Sequence, residues 1–159
     1  YEEQFLQWRA GKTQVKGLAQ AVISKAADLQ PCSTKNWRSH IKEALPGLLG
    51  GIFACITILK SGESYTRMVD AGSGTGRDAH AQSILLKPHS IQVLTILRML
   101  GYDGNSKSLA CHLVQIRTGE GKSIILGACS VLLGLLGFRV HCICYSDYLS
   151  LRDHRMFKD

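Results

Sequence analysis

The run Val114-Gln-Ile-Arg-Thr-Gly-Glu-Gly-Lys-Ser-Ile-Ile-Leu126 places a lysine and a hydroxyl directly after two glycines and between two apolar segments. That order suits a phosphate. A loop that joins an extended segment to a helix start aims free backbone N–H groups at one spot, where the helix dipole also favours negative charge. Gly119 and Gly121 let the chain turn there without a Cβ in the way. Lys122 can reach the outer phosphates as a point charge, and the Ser123 hydroxyl can ligate Mg²⁺. The full P-loop pattern G-x-x-x-x-G-K-[ST] is not met, because Ile116 stands where its first glycine belongs. The bland alternative is a solvated turn whose lysine starts a helix, and the flanking segments argue against it.

Those flanks predict the elements that would hold the loop. Residues 112–116 read as a short strand, and a helix is expected from residue 122 to about 136, stopped by Gly137 as a C-cap glycine. Residues 139–145 are a short β-rich run, and Ser146 or Asp147 can cap a last helix through residue 157. Strand, glycine loop, helix, strand and helix make a βαβ unit. The expected fold class is therefore α/β, a partial P-loop nucleotide-binding domain with parallel strands, preceded by a helical N-terminal region.

That N-terminal region reads as an amphipathic helix over residues 15–29 with a stop at Pro31. Ser33 or Thr34 is a candidate N-cap for a second helix over 35–44, and an apolar segment follows over 48–59. The longest apolar run, residues 44–59, is interrupted by Pro46, Gly47, Gly50 and Gly51 and falls short of the roughly 20 apolar residues a bilayer span needs. A buried helix is the expectation, with peripheral membrane contact left open. A further helix over 89–100 begins after Pro88 and ends near Gly101.

Residues 70–79, DAGSGTGRDA, mark the expected boundary between a helical region, 1–79, and the nucleotide-binding part, 80–159. Within this boundary, Met68-Val-Asp-Ala-Gly-Ser-Gly-Thr-Gly76 is similar to the glycine loop of S-adenosylmethionine-dependent methyltransferases. Such a loop wants a hydrophobic strand before it and an acidic residue about 20 positions later. Ser64-Tyr-Thr-Arg67 precedes it, and no Asp or Glu lies between Asp78 and Asp103. A flexible linker is the better reading.

A length of 159 residues suffices for one core, and 45% hydrophobic with 19% charged residues excludes a disordered chain. The net charge of +7 is spread out, with ten Lys/Arg against seven Asp/Glu over residues 1–80 and nine against five over 81–159. Such a surface suits phosphate ligands, nucleic acid, acidic lipid or acidic polypeptide alike. The six cysteines form no C-x-x-C pair and follow no signal peptide, which argues against a disulfide framework or a zinc site and for reduced core or strand residues. Cys142 and Cys144 are expected on the same side of their strand.

Three ordered stretches resemble the SecA preprotein translocase ATPase family. IRTGEGKS is similar to that family's nucleotide loop M-[KR]-T-G-E-G-K-T. Lys87-Pro-His-Ser-Ile-Gln92 resembles its R-P-[FY]-D-V-Q, the helicase Q motif, and Val140-His-Cys-Ile-Cys-Tyr-Ser-Asp-Tyr-Leu-Ser-Leu-Arg-Asp153 resembles V-H-V-V-T-V-N-D-Y-L-A-x-R-D. The resemblance spans about residues 84–157. It implies a motor that binds ATP with Mg²⁺, with Gln92 on the adenine edge, Gly119, Gly121, Lys122 and Ser123 on phosphates and metal, and Thr118 and Glu120 shaping the loop. Asp147, Arg152 and Asp153 have a plain structural explanation as a helix-start carboxylate and an exposed charge pair.

The partners implied are a polypeptide cargo and the remainder of a larger parent chain, in a cytoplasmic setting that could border a membrane. Phosphoryl transfer also needs a Walker B carboxylate, a water-positioning residue and usually an arginine finger, none of which follows the loop here. The chain begins at Tyr1 without methionine and ends in Lys158-Asp159, so a fragment is expected, without hydrolysis of its own. Two other readings are a helicase-type ATPase acting on nucleic acid and a catalytically inactive SecA-like interaction module. TGEGKS and SDYLSLRD favour the translocase branch over nucleic acid.

Overall fold

The computed structural model describes residues 15–37, 39–70, 88–104 and 107–157, and side chains are described outside 61–70. The glycine-rich segment 71–79 and Lys87 lie outside the described residues.

Among the described residues five helices follow one another: α1 (Val15–Ala27), α2 (Ser39–Asp70), α3 (Ser90–Met99), α4 (Lys122–Leu135) and α5 (Asp147–Phe157). Leu18, Val22 and Ala26 recur at helical spacing on one face of α1 and are buried. They meet Leu45, Leu48, Leu49, Ile52 and Phe53 of α2, Val93 and Ile96 of α3, and Ile125, Ala128, Leu132 and Leu136 in and just after α4, all in one core. Helices from both sides of the glycine-rich segment thus share that core.

The expected α/β class is overturned: among the described residues there is no strand, and the only β pairing is an isolated bridge between Ser33 and Asn36. Residues 111–117 and 138–144 run without regular structure, largely exposed, and Ile143 is 91% exposed. A strand exists only where another backbone accepts its hydrogen bonds. Apolar, β-branched runs such as His112–Ile116 show the taste for a sheet, yet among the described residues no backbone lies alongside to make one.

The helical half also differs in detail. One helix, α2, runs through Pro46 where the sequence suggests an interruption. Proline in a helix interior forfeits a hydrogen bond and strains the preceding turn, at a cost of about 3 kcal/mol. Burial of Leu45, Leu48, Leu49, Ile52 and Phe53 around it, at roughly 1.5–3 kcal/mol per side chain, outweighs that cost. The helix starts at Ser39, after a turn closed by Asn36 N–H donating to the Ser33 carbonyl at 3.0 Å, and so later than the Ser33 or Thr34 cap implies. Its Ser39–Lys60 part is long and apolar enough to cross a membrane by length and composition, but 61% of that stretch is buried inside the protein. A core helix accounts for that burial. Residues 68–70 are helical, which removes the strand that a methyltransferase loop would need before it.

Two glycines close helices as the sequence predicts. Gly101 (φ +67°) and Gly137 (φ +90°) take the left-handed conformation after α3 and α4. Behind them, Tyr102 N–H donates to Leu97 and Phe138 N–H to Leu133, each at 3.0 Å, while Gly101 and Gly137 donate to Arg98 and Gly134. This double bonding is the Schellman motif, and it fixes where the chain leaves each helix. Gln30 adds a further bond to the end of α4, its Nε2 donating to the Leu135 carbonyl at 2.8 Å.

Candidate functional site

The loop that precedes α4 is built by two glycines in backbone conformations that other residues rarely adopt, Gly119 at φ +91° and Gly121 at φ +74°. Gly121 is the N-cap of α4. The amides of Gly119, Gly121, Lys122 and Ser123 have no hydrogen-bond partner among the described residues. These unpaired donors, at the positive end of a 14-residue helix, form the kind of cradle an anion fits.

Lys122 folds over this turn. Its Nζ donates to the carbonyls of Ile116 at 3.0 Å and Arg117 at 2.9 Å, so the ammonium sits against the loop's own backbone. Two exposed hydrogen bonds from a charged donor contribute about 1.5 kcal/mol each, the low end of their range. A unit negative charge 4 Å away gains about 4 kcal/mol at a surface-like dielectric, so a phosphate can draw the lysine off these carbonyls.

Gln92 joins α3 to the loop. It is 4% exposed, accepts a hydrogen bond from the His89 amide at Oε1 (3.1 Å), and donates from Nε2 to the Glu120 carbonyl (3.1 Å). The first bond caps the N-terminus of α3, and the second ties that cap to the loop. A Cβ on Gly121 would collide with this Gln92 amide, so glycine is required there by contact as well as by φ. The glutamine expected to read adenine is therefore beside the glycine loop, with its amide engaged by protein.

Ser123 Oγ accepts a hydrogen bond from Arg152 Nη2 of α5 at 2.8 Å. The same guanidinium holds Asp153 Oδ1 through Nε at 2.9 Å and Nη2 at 2.7 Å. The Arg152–Asp153 pair expected from sequence is present, but its contact with Ser123, 29 residues away, is beyond what spacing reveals. Only the motif likeness of SDYLSLRD could have pointed to it. Asp147 opens α5 as expected, and Ser146 Oγ accepts from the Leu149 amide at 3.4 Å, a capping bond. A second anchor for α5 is the Phe157 ring, which packs so tightly on Gly127 of α4 that a Cβ there would overlap it.

Thr118 is exposed, and Glu120 contributes its carbonyl through the Gln92 bond. The structure thus brings Gln92, residues 118–123 and Arg152 together. All six cysteines are free, with Cys129 buried and Cys111 and Cys142 exposed. Cys142 lies 2.8 Å from Ser130 Oγ, outside any strand. No cluster of three or more His, Cys, Asp or Glu able to hold a metal occurs among the described residues.

Comparison with known proteins agrees with the three motifs. The SecA DEAD-like domain family model matches residues 7–159. The protein translocase subunit SecA 2 of Corynebacterium glutamicum is 34% identical over 98 residues, covering 55% of this chain and 12% of the relative. That of Chlorobium chlorochromatii is 29% identical over 90 residues, covering 57% and 12%. The protein translocase subunit SecA of Cutibacterium acnes is 28% identical over 92 residues, covering 58% and 9%. The chain spans about a tenth of the length of these relatives. No solved structure matches. A match that runs over nearly the whole chain, through the loop, Gln92 and α5, establishes that this chain belongs to the SecA DEAD-like domain family.

Proposed function

We propose that residues 118–123 bind the phosphates of ATP, as the nucleotide-binding portion of a SecA-like protein-translocating motor. The observation that supports this most is the set of unpartnered amides at Gly119, Gly121, Lys122 and Ser123, with the Lys122 ammonium folded over the same turn. In this reading the amides hold phosphate oxygens, and Lys122 exchanges the Ile116 and Arg117 carbonyls for the outer phosphates. Ser123 Oγ, at the first turn of α4, would hold Mg²⁺, which supplies charge neutralisation between phosphates. Gln92 would pair with the adenine edge by giving up the Glu120 carbonyl, an exchange its two-sided amide allows.

The proposal covers nucleotide binding; hydrolysis would also need a carboxylate that supports the metal and a residue that orients the attacking water. The cargo would be a polypeptide, in keeping with the translocase names of the relatives. The working place would be the cytoplasm, at times against a membrane surface. Calorimetric titration with ATP tests the phosphate site: Lys122→Ala should lose binding while the chain still folds cooperatively, its unfolding transition lowered only by the loss of the two carbonyl bonds. Equal ATP affinity in the two proteins would refute the role of Lys122.

A further inference from the structure

The contact between α5 and the phosphate loop has a consequence for metal binding. Ser123 Oγ is at once the hydroxyl available for a divalent cation and the acceptor of Arg152 Nη2 at 2.8 Å. An oxygen held that closely by a guanidinium cannot take on a divalent cation without two like charges being forced together, and their repulsion exceeds what one exposed hydrogen bond returns. The arginine has an alternative ready. Its bonds to Asp153 Oδ1, at 2.9 and 2.7 Å, lie within α5 itself and survive if the helix moves away from Ser123. A second hold on α4, Phe157 against Gly127, is one helical turn along α4 from Ser123 and involves no charge. The helix α5 is therefore held at its C-terminal end by packing and at its middle by a bond that the metal contests.

We propose that Arg152 is a positioning residue that reports metal loading of the phosphate loop to α5: it holds Ser123 Oγ in the metal-free loop and is released when that oxygen takes a divalent cation. This inference rests on the phosphate-loop reading above. It adds a direction to it, since nucleotide without metal leaves α5 docked and nucleotide with metal frees its N-terminal half.

The test is ADP affinity by calorimetry on the full chain, with Mg²⁺ and with EDTA, for the wild type, Arg152→Gln, Ser123→Ala, the double variant and Lys122→Ala. The readout is the gain in affinity that Mg²⁺ gives. Removing the competing guanidinium should enlarge this gain about tenfold, the low end of what one charge-assisted hydrogen bond contributes. Ser123→Ala should reduce the gain to near one, with or without Arg152. Hydrogen exchange provides a second readout: the amides of residues 147–153 should exchange faster with Mg²⁺–ADP than with ADP in EDTA. An unchanged gain in Arg152→Gln, beside a gain that Ser123→Ala abolishes, would overturn the inference, and so would α5 exchange indifferent to metal. In either case ADP binding that Lys122→Ala removes would leave the phosphate-loop reading standing. Absence of ADP binding in the wild type under both conditions would overturn both.

Discussion

Replacing Gly121 by alanine isolates what the loop demands of its backbone. Two costs follow from the structure. At φ +74° an L-residue loses roughly 1–2 kcal/mol relative to glycine. The new methyl would also occupy the space of the Gln92 amide, which is buried and bonded to the His89 amide and the Glu120 carbonyl. Displacing that amide forfeits two hydrogen bonds of about 1 kcal/mol each. The sum is about 3–4 kcal/mol. Gly119→Ala is the matched control, because its φ of +91° strains alanine while nothing lies within 4 Å of the added Cβ, so the cost there is about 1–2 kcal/mol. Urea unfolding of Gly121→Ala, Gln92→Ala and the double variant then gives the coupling between the two sites. In the Gln92→Ala background, Gly121→Ala should cost about 2 kcal/mol less than in the wild type, because the clash is gone. Equal destabilisation by Gly119→Ala and Gly121→Ala, with additive Gln92→Ala, would refute the claim that Gln92 and the loop form one unit.

Three further outcomes are expected. Gly127→Ala should undock the Phe157 ring and raise hydrogen exchange throughout α5 while leaving α1 and α2 protected; exchange unchanged in residues 147–157 would contradict the packing. Trp37→Phe removes the bond from Nε1 to the Leu100 carbonyl at 2.7 Å in a buried site and so should destabilise by about 1–3 kcal/mol in thermal or urea unfolding, although the ring contact with Phe138, 6.1 Å between centroids, persists; a neutral result would contradict it. Burial, and secondarily Cys142, push the Cys129 thiol from 9.0 up to about 11, so the folded chain keeps a proton that the unfolded chain releases. Stability should therefore fall as pH rises from about 9 to 11, by at most ~3 kcal/mol, and Cys129→Ala should flatten that decline; an equal decline in the variant would disprove the assignment.

Helices α1, α3, α4 and α5 were legible in the sequence because each carries its own signals. Apolar residues at helical spacing mark α1, Pro88 and Gly101 bracket α3, Gly137 ends α4, and Ser146 caps α5. The glycine loop was legible for the same local reason, since Gly119 and Gly121 must supply positive φ wherever the chain goes next. The strands expected over residues 112–116 and 139–145 were a misreading, because those stretches have the composition of strands while pairing depends on backbone that a local pattern cannot name. Pro46 misled in the other direction. Its local penalty suggests an interrupted helix, and the burial of the surrounding leucines, a tertiary term, overrides it. The bond between Arg152 and Ser123 joins residues 29 apart and shows no trace in periodicity.

The central claim is that the amides of Gly119, Gly121, Lys122 and Ser123 form an anion cradle closed by the Lys122 ammonium. Amide NMR shifts during titration of ¹⁵N-labelled protein with ATP test this most directly. The account predicts that these four resonances move first and furthest, and that Lys122→Ala largely abolishes the movement. Shifts confined to other parts of the chain, or none at these amides at saturating nucleotide, would contradict it.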